Sequence, residues 1–204
     1  MGVSKTFPAE AIREAYDAGI RVFGENRVQE FAGKVDALRE LRDARFHLIG
    51  HLQSNKAAKA ADLFHAVDSV DSLKLAEKLH DAAGAAGKTL RVLIEINVGG
   101  EAAKSGIAPD SAELDRLLAE APRLANLEFG GLMTVPPYTE DPQGARPYFW
   151  TLRELREKIA GRGLPRVSME ELSMGMSHDF EVAIEEGSTC VRVGTAIFGG
   201  RAKP

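Results

Sequence analysis

The chain has 204 residues, a formal net charge of −4 from 26 basic and 30 acidic residues, and a single cysteine. This length suits one domain over residues 1–204, somewhat below the roughly 250 residues typical of a full (β/α)₈ barrel. The acidic balance argues against a nucleic-acid groove or an anionic membrane surface, and no stretch reaches the ~20 apolar residues of a membrane span. One cysteine cannot form an internal disulfide, so we expect a reducing, cytoplasmic compartment.

Strand-like and helix-like segments alternate from end to end, which is typical of an α/β fold with a parallel sheet. Eight segments read as strands: 2–6, 21–24, 46–50, 64–67, 91–98, 127–135, 167–172 and 189–193. Helical patterns lie between them: 8–19, 28–38, 57–61, 71–79, 110–118, 141–163 and a short helix before the last strand. Asp110 and Glu113 have the spacing of a capping box. The alternation predicts a single (β/α)₈ barrel of the TIM type.

The stretch from Leu172 to Arg201 carries two turns built from small residues. Gly175 to Ser177 follows one strand, and Gly194-Thr195 follows the next. In a parallel sheet both turns open on the same side, and each precedes a helix, so their unpaired amides can converge on a phosphate. The alternative is that these glycines serve only as helix caps and tight turns.

Arg192 lies on the last predicted strand. Side chains alternate between the two faces of a strand. If Val191 and Val193 face the helices, Cys190 and Arg192 face the barrel interior. A buried guanidinium needs an acceptor. That acceptor is either a carboxylate of another strand, such as Glu95, or a ligand held by the two turns.

Lys5 ends the first predicted strand, where barrel enzymes place their chemistry. A lone lysine is usually a solvated surface charge. At an inward strand end, however, desolvation lowers the pKa of a lysine and leaves a neutral amine that can attack an aldehyde. This lysine, a phosphate site and a buried arginine together predict a pocket for pyridoxal 5′-phosphate (PLP).

Motifs along nearly the whole chain resemble the pyridoxal phosphate homeostasis proteins, relatives of the alanine racemase barrel domain. The matching segments are VSKT, FGENRVQE, HLIGHLQSNK, VDSVDSLKLAEKL, KSGI, GLMTVPPYTEDP, ARPYF, LSMGMSHDFEVAIEEGST and VRVGTAIFG. The resemblance implies a single cytosolic PLP-binding barrel without established catalytic turnover, which holds the cofactor and buffers or delivers it. PLP-dependent apo-enzymes are its implied recipients, and we expect a monomer or weak dimer.

The resemblance also implies a role for individual residues. Lys5 would form the Schiff base with PLP, Arg192 would face the pyridine nitrogen, and Asn26 would line the pocket beside the ring. The residues expected to hold the phosphate are Met176, Ser177, Gly194 and Thr195. A guanidinium donates hydrogen bonds and cannot accept them, so the ring nitrogen would stay unprotonated and the ring would be a weaker electron sink.

One departure from the family pattern concerns the beginning of the chain. Members of the family normally carry a helix and the first part of strand one before VSKT. Here Met1 stands four residues ahead of Lys5, so we expect a barrel that lacks this helix.

Two other functions remain open from the residues. A PLP-dependent racemase or decarboxylase would use the same pocket, although racemisation needs acid and base groups on both faces of the substrate α-carbon. A sugar-phosphate enzyme would use Lys5 as a Schiff-base lysine without a cofactor.

Overall fold

The computed structural model describes residues 1–101 and 105–200. In this part of the chain, eight strands alternate with eight α-helices. The strands are β1 (Gly2–Val3), β2 (Val22–Glu25), β3 (Arg45–Leu48), β4 (Ala66–Val70), β5 (Leu90–Glu95), β6 (Leu127–Met133), β7 (Val167–Met176) and β8 (Cys190–Arg192). The helices are α1 (Ala9–Asp17), α2 (Val28–Ala32), α3 (Ala57–Leu63), α4 (Leu73–Ala85), α5 (Ala112–Glu120), α6 (Arg146–Ala160), α7 (Phe180–Glu185) and α8 (Thr195–Phe198). Lys104 of the KSGI segment and Arg201 lie outside the described residues.

Four short 3₁₀ helices in the described residues complete the connections between the strands. They are Val35–Leu38, Ser54–Lys56, Ala121–Arg123 and Pro142–Ala145. Among residues 1–101 and 105–200, no helix combines the length and the hydropathy that crossing a membrane would require.

The strands form one parallel sheet in the order β1 to β8. Its two edges meet at a bridge between Gly2 of β1 and Val193, which follows β8. Val3 N–H donates to the Val193 carbonyl over 2.8 Å, and Val193 N–H donates to the Met1 carbonyl over 3.0 Å. These bonds close the sheet into a barrel, which confirms the predicted (β/α)₈ fold.

The core lies between the sheet and the surrounding helices. Strands of a parallel sheet are covered on both faces, and all five residues of β4 are buried. Helix α1 turns Ala9, Ile12 and Ala15 toward the sheet at helical spacing. The Phe31 ring packs against the rings of Phe46 and Phe64, with centroid distances of 4.7 and 4.8 Å. This packing joins α2 to β3 and to the segment after α3.

Two local predictions are wrong. The helical pattern over 28–38 is divided into α2 and the 3₁₀ helix Val35–Leu38 by a turn at Gly33 and Lys34, from which the Lys34 amine contacts Glu25. The cap of α5 is Ser111 rather than Asp110. The Ser111 hydroxyl accepts a hydrogen bond from the Leu114 N–H. The Glu113 carboxylate accepts a hydrogen bond from the N–H of Leu73 in α4 and therefore does not close a capping box.

Candidate functional site

A cavity of about 380 Å³ opens at the carboxyl ends of the strands. Its volume lies within the range of small-molecule pockets. The structure brings all seven predicted site residues to its wall: Lys5, Asn26, Met176, Ser177, Arg192, Gly194 and Thr195. Each lies at or just after the end of β1, β2, β7 or β8. Whether they bind the cofactor stays a prediction.

The remaining wall is mostly apolar and was not predicted from the sequence. It includes Val3, Phe7, Ile49 and Val135, together with His178. Ile49 directly follows β3, and Val135 lies two residues beyond the end of β6, so position at a strand end was the signal available. None of the lining residues in the described chain is acidic. The cavity therefore combines apolar contact surface with basic and hydroxyl groups, which suits a flat ring carrying an anionic group.

Glycine is required near the end of β7, one residue before the strand ends at Met176. Gly175 has a φ of 92°, and a Cβ atom there would lie 2.5 Å from the Ala183 Cβ and 3.1 Å from the Phe180 Cα. Glycine thus lets the end of β7 pack directly on α7. The Met176 N–H donates to Asp179 Oδ1 over 2.6 Å. That amide, which the sequence suggested for a phosphate, is already bonded within the turn.

The turn after β8 leads into α8, which begins at Thr195. Gly194 lies close to β1, because a Cβ atom there would be 3.4 Å from the Val3 carbonyl oxygen. The two glycine turns and the end of β1 consequently border the same cavity.

Arg192 is almost completely buried and lines the cavity. Its Nη1 donates to Ser173 Oγ and its Nη2 donates to the Thr134 carbonyl, each over 2.7 Å. Burial lowers the pKa of the Arg192 guanidinium below its ordinary value. Two neutral acceptors therefore orient the group without compensating its charge.

Glu95 is not the ion-pair partner of Arg192 in the described chain. Its Oε1 accepts the Ser105 hydroxyl over 2.8 Å, and burial raises the pKa of the carboxyl group. Glu95 therefore acts on Arg192 through its charge rather than through a direct ion pair in the described chain.

Cys190 and the histidines do not form a second reactive centre in the described residues. Burial raises the pKa of the Cys190 thiol to about 11, so the thiolate is disfavoured. Among residues 1–101 and 105–200, His, Cys, Asp and Glu side chains form no group of three arranged to hold a metal ion.

Known proteins are similar to this chain in both sequence and fold. The family model for the alanine racemase N-terminal domain matches residues 3–202. The pyridoxal phosphate homeostasis protein of Aquifex aeolicus is 48% identical over 201 residues, which are 98% of this chain and 86% of that protein. The namesake from Escherichia coli K12 is 44% identical over 204 residues, covering 98% of this chain and 85% of that protein.

Two solved structures illustrate the range of structural similarity. The structure of PipY from Synechococcus elongatus with PLP bound has a TM-score of 0.88 at 40% identity, covering 98% of this chain and 91% of PipY. Alanine racemase of Clostridium difficile has a TM-score of 0.73 at 16% identity, covering 100% of this chain and 52% of the racemase. The second similarity concerns the fold alone.

Proposed function

Since the chain belongs to the alanine racemase N-terminal domain family and, within it, to the pyridoxal phosphate homeostasis proteins, we propose that it binds PLP and acts in PLP homeostasis. In this proposal Lys5 holds the cofactor as a Schiff base, and the protein buffers PLP or delivers it without established catalytic turnover. The observation that carries the proposal is the convergence of Lys5, Arg192 and both glycine turns on one cavity.

Lys5 is proposed as the residue that reacts with the cofactor. PLP supplies an aldehyde that condenses reversibly with a primary amine and releases one water molecule. Lys5 is half-buried at the end of β1 and lines the cavity, so its side chain is partly shielded from solvent. Phe7 and Ile49 add apolar wall near it, which favours the exclusion of water from the amine.

The two glycine turns are proposed as the phosphate site. Ser177 and Thr195 supply hydroxyl groups, and the backbone at Gly194 approaches without a side chain. Because the Met176 N–H is bonded to Asp179, Met176 would contribute the wall of the site rather than this amide. The absence of acidic lining residues in the described chain supports the binding of an anion here.

Arg192 and Asn26 are proposed to orient the ring. The Arg192 guanidinium donates hydrogen bonds only, so it would keep the pyridine nitrogen unprotonated. An unprotonated ring withdraws electrons less strongly than a protonated one. This arrangement therefore supports storage of the cofactor better than carbanion chemistry on it.

The rival function is a PLP-dependent racemase or decarboxylase. The described cavity wall contains no tyrosine, and Lys5 and His178 are its candidates for proton transfer. The Tyr138 ring packs against His178 in a tilted arrangement with a centroid distance of 5.2 Å, but Tyr138 is 79% exposed. A chiral assay with alanine and other amino acids tests this alternative, and turnover well above that of free PLP would favour it over storage.

The setting of this function is also a proposal. Residues 1–204 would act as one domain, a monomer or weak dimer, that passes PLP to PLP-dependent apo-enzymes. The lone Cys190, with its disfavoured thiolate, fits a reducing cytoplasm.

The absorbance spectrum of the purified protein tests the proposal. After incubation with PLP and dialysis, the wild type should keep a near-violet band that borohydride removes. Lys5→Ala should lose the band, whereas Lys74→Ala, which changes an exposed lysine of α4, should keep it. A colourless wild type that cannot be loaded with PLP would contradict the proposal and favour a sugar-phosphate enzyme.

A further inference from the structure

A cluster of charged side chains, fully buried at Glu25 and partly buried at Lys34 and Glu30, contacts the residues on either side of Lys5. Glu25 at the end of β2 is fully buried, and its Oε1 accepts the Ser4 hydroxyl over 2.7 Å. The Lys34 amine lies 3.2 and 3.3 Å from the two oxygens of Glu25. Ser4 precedes Lys5 in the chain, so this part of the cluster fixes the residue on one side of the reactive lysine.

The same amine also reaches the other side of Lys5. Lys34 Nζ donates to Glu30 Oε1 over 2.7 Å, and that oxygen accepts the Thr6 N–H over 2.6 Å. Thr6 has a φ of 70°, in the left-handed region that a β-branched residue rarely adopts. The Glu30 hydrogen bond holds the main chain in this unfavourable conformation immediately after Lys5.

Burying these charged groups has a large desolvation cost, so the cluster is not needed simply to fill space near the barrel wall. Burial raises the pKa of the Glu25 carboxyl group, which shows how strongly desolvation opposes its charge. Apolar side chains of similar volume would often be as stable as a buried ion pair. Lys34 lies at the turn between α2 and the 3₁₀ helix Val35–Leu38, and from there its amine contacts both carboxylates. Both features favour a positional role over a purely structural one.

We propose that Lys34, acting through Glu25 and Glu30, is a positioning residue that holds Ser4 and Thr6 so that the Lys5 amine faces the cofactor aldehyde. The inference rests on the proposed function, because it concerns the presentation of the Schiff-base lysine. It assigns Lys34 no contact with the cofactor itself.

The test compares Lys34→Met with wild type and with Lys59→Met, which removes an exposed lysine paired with Asp62 on α3. Borohydride trapping followed by peptide mass analysis gives the fraction of PLP attached to Lys5, and equilibrium dialysis gives total bound PLP. A lost charge-assisted hydrogen bond lowers an equilibrium constant by about tenfold or more, so we expect the ratio of attached to unattached bound PLP to fall by about tenfold in Lys34→Met, and the attached fraction to fall with it. Lys34→Arg should restore part of it, and Lys59→Met should match wild type.

A general loss of structure would lower total bound PLP and the attached fraction together with the melting temperature, whereas loss of positioning lowers the attached fraction in a folded variant. If Lys34→Met does not fold, Glu30→Gln serves instead. It keeps an oxygen for the Thr6 amide but loses the charge that binds Lys34, so we expect a smaller fall in the attached fraction. Unchanged trapping on Lys5 in the folded variant would overturn the inference. A wild type that traps no PLP on Lys5 would contradict the proposed function instead.

Discussion

Arg192 shows how a buried charge can be oriented without an ion pair. Its guanidinium is held by the Ser173 hydroxyl and the Thr134 carbonyl, which come from β7 and from the residue after β6. Both hydrogen-bond acceptors are neutral, and the carboxylates of Asp68, Glu95 and Asp179 act on the guanidinium only through their charge. A ligand atom in the cavity can therefore gain a hydrogen bond from a donor that is already in place.

His47 is a mostly buried residue whose charge is stabilised mainly by Asp68. Burial opposes the charged imidazole, but the charge and the hydrogen bond of Asp68, 3.1 Å away, outweigh it and raise the pKa of His47. The folded state thus keeps a proton that the unfolded chain releases above about pH 6.5. Its contribution to stability is complete below that pH and is lost as the pH rises through the folded pKa.

Urea unfolding across this pH window tests that sign. Wild type should lose more stability than His47→Gln as the pH rises from about 6 to about 9. His65, whose pKa burial lowers, contributes with the opposite sign, so His65→Gln serves as the comparison. Parallel stability profiles for wild type and His47→Gln would contradict the assignment.

At the scale of single residues, the sequence predicted the cavity wall better than the contacts behind it. Lys5, Ser177 and Arg192 line one cavity, as predicted. Their position could be predicted because strand ends and glycine turns can be located from local sequence patterns. Ser173 and Thr134 could not be assigned to Arg192, because that contact depends on the register of two strands. Lys34 was read as part of a continuous helix, because neither the turn after α2 nor the approach of its amine to Glu25 on β2 leaves a periodic signal in the sequence.

The β6–β7 pair is the element that sets the shape of the site. Its register shifts between Phe129 and Gly131, and the β7–β8 register shifts between Ser173 and Met176. Such irregularities bend a strand and redirect its side chains. They carry β7 to Met176, beyond the predicted end at Leu172, and so place the glycine turn at the cavity. Register shifts leave no periodic signal, which is why the sequence predicted this strand too short.

Gly131 provides a test of this close strand pairing. It lies opposite Glu171, and a Cβ atom there would overlap the Glu171 carbonyl oxygen. Main-chain atoms cannot move aside cheaply, so Gly131→Ala should destabilise the protein by about 3 kcal/mol or more. Gly161→Ala changes a helix-terminal glycine with φ −62° and ordinary contacts, and its effect should be within about 1 kcal/mol. Equal urea midpoints for the two variants would contradict the packing argument.

At the scale of the whole molecule, the barrel closes at its shortest strand. β1 contains only two residues, and its bonds to the segment around Val193 complete the sheet. Lys5 follows β1, whereas Arg192 and Gly194 belong to β8 and its turn. A ligand that contacts both groups therefore connects the two edges of the sheet. The alternation of elements predicted the barrel, but it did not predict how short this closing strand is.

Hydrogen exchange can detect this connection. PLP should slow exchange of the Val3 and Val193 amides, because ligand binding to the closed barrel disfavours local opening of the β1–β8 edge. The Ile94 amide, in the centre of the sheet, should change less, and Lys5→Ala should reduce the effect at the edge. Equal slowing at all three positions would indicate global stabilisation and contradict a role in closure.

The most direct test of the account is peptide mapping after borohydride reduction with limiting PLP. The account places one reactive amine beside two anion-binding turns in a single cavity. It predicts that the cofactor mass is found on the peptide containing Lys5 and that free phosphate in excess suppresses the labelling. Labelling spread over exposed lysines such as Lys74 and Lys78, with Lys5 unmodified, would contradict it.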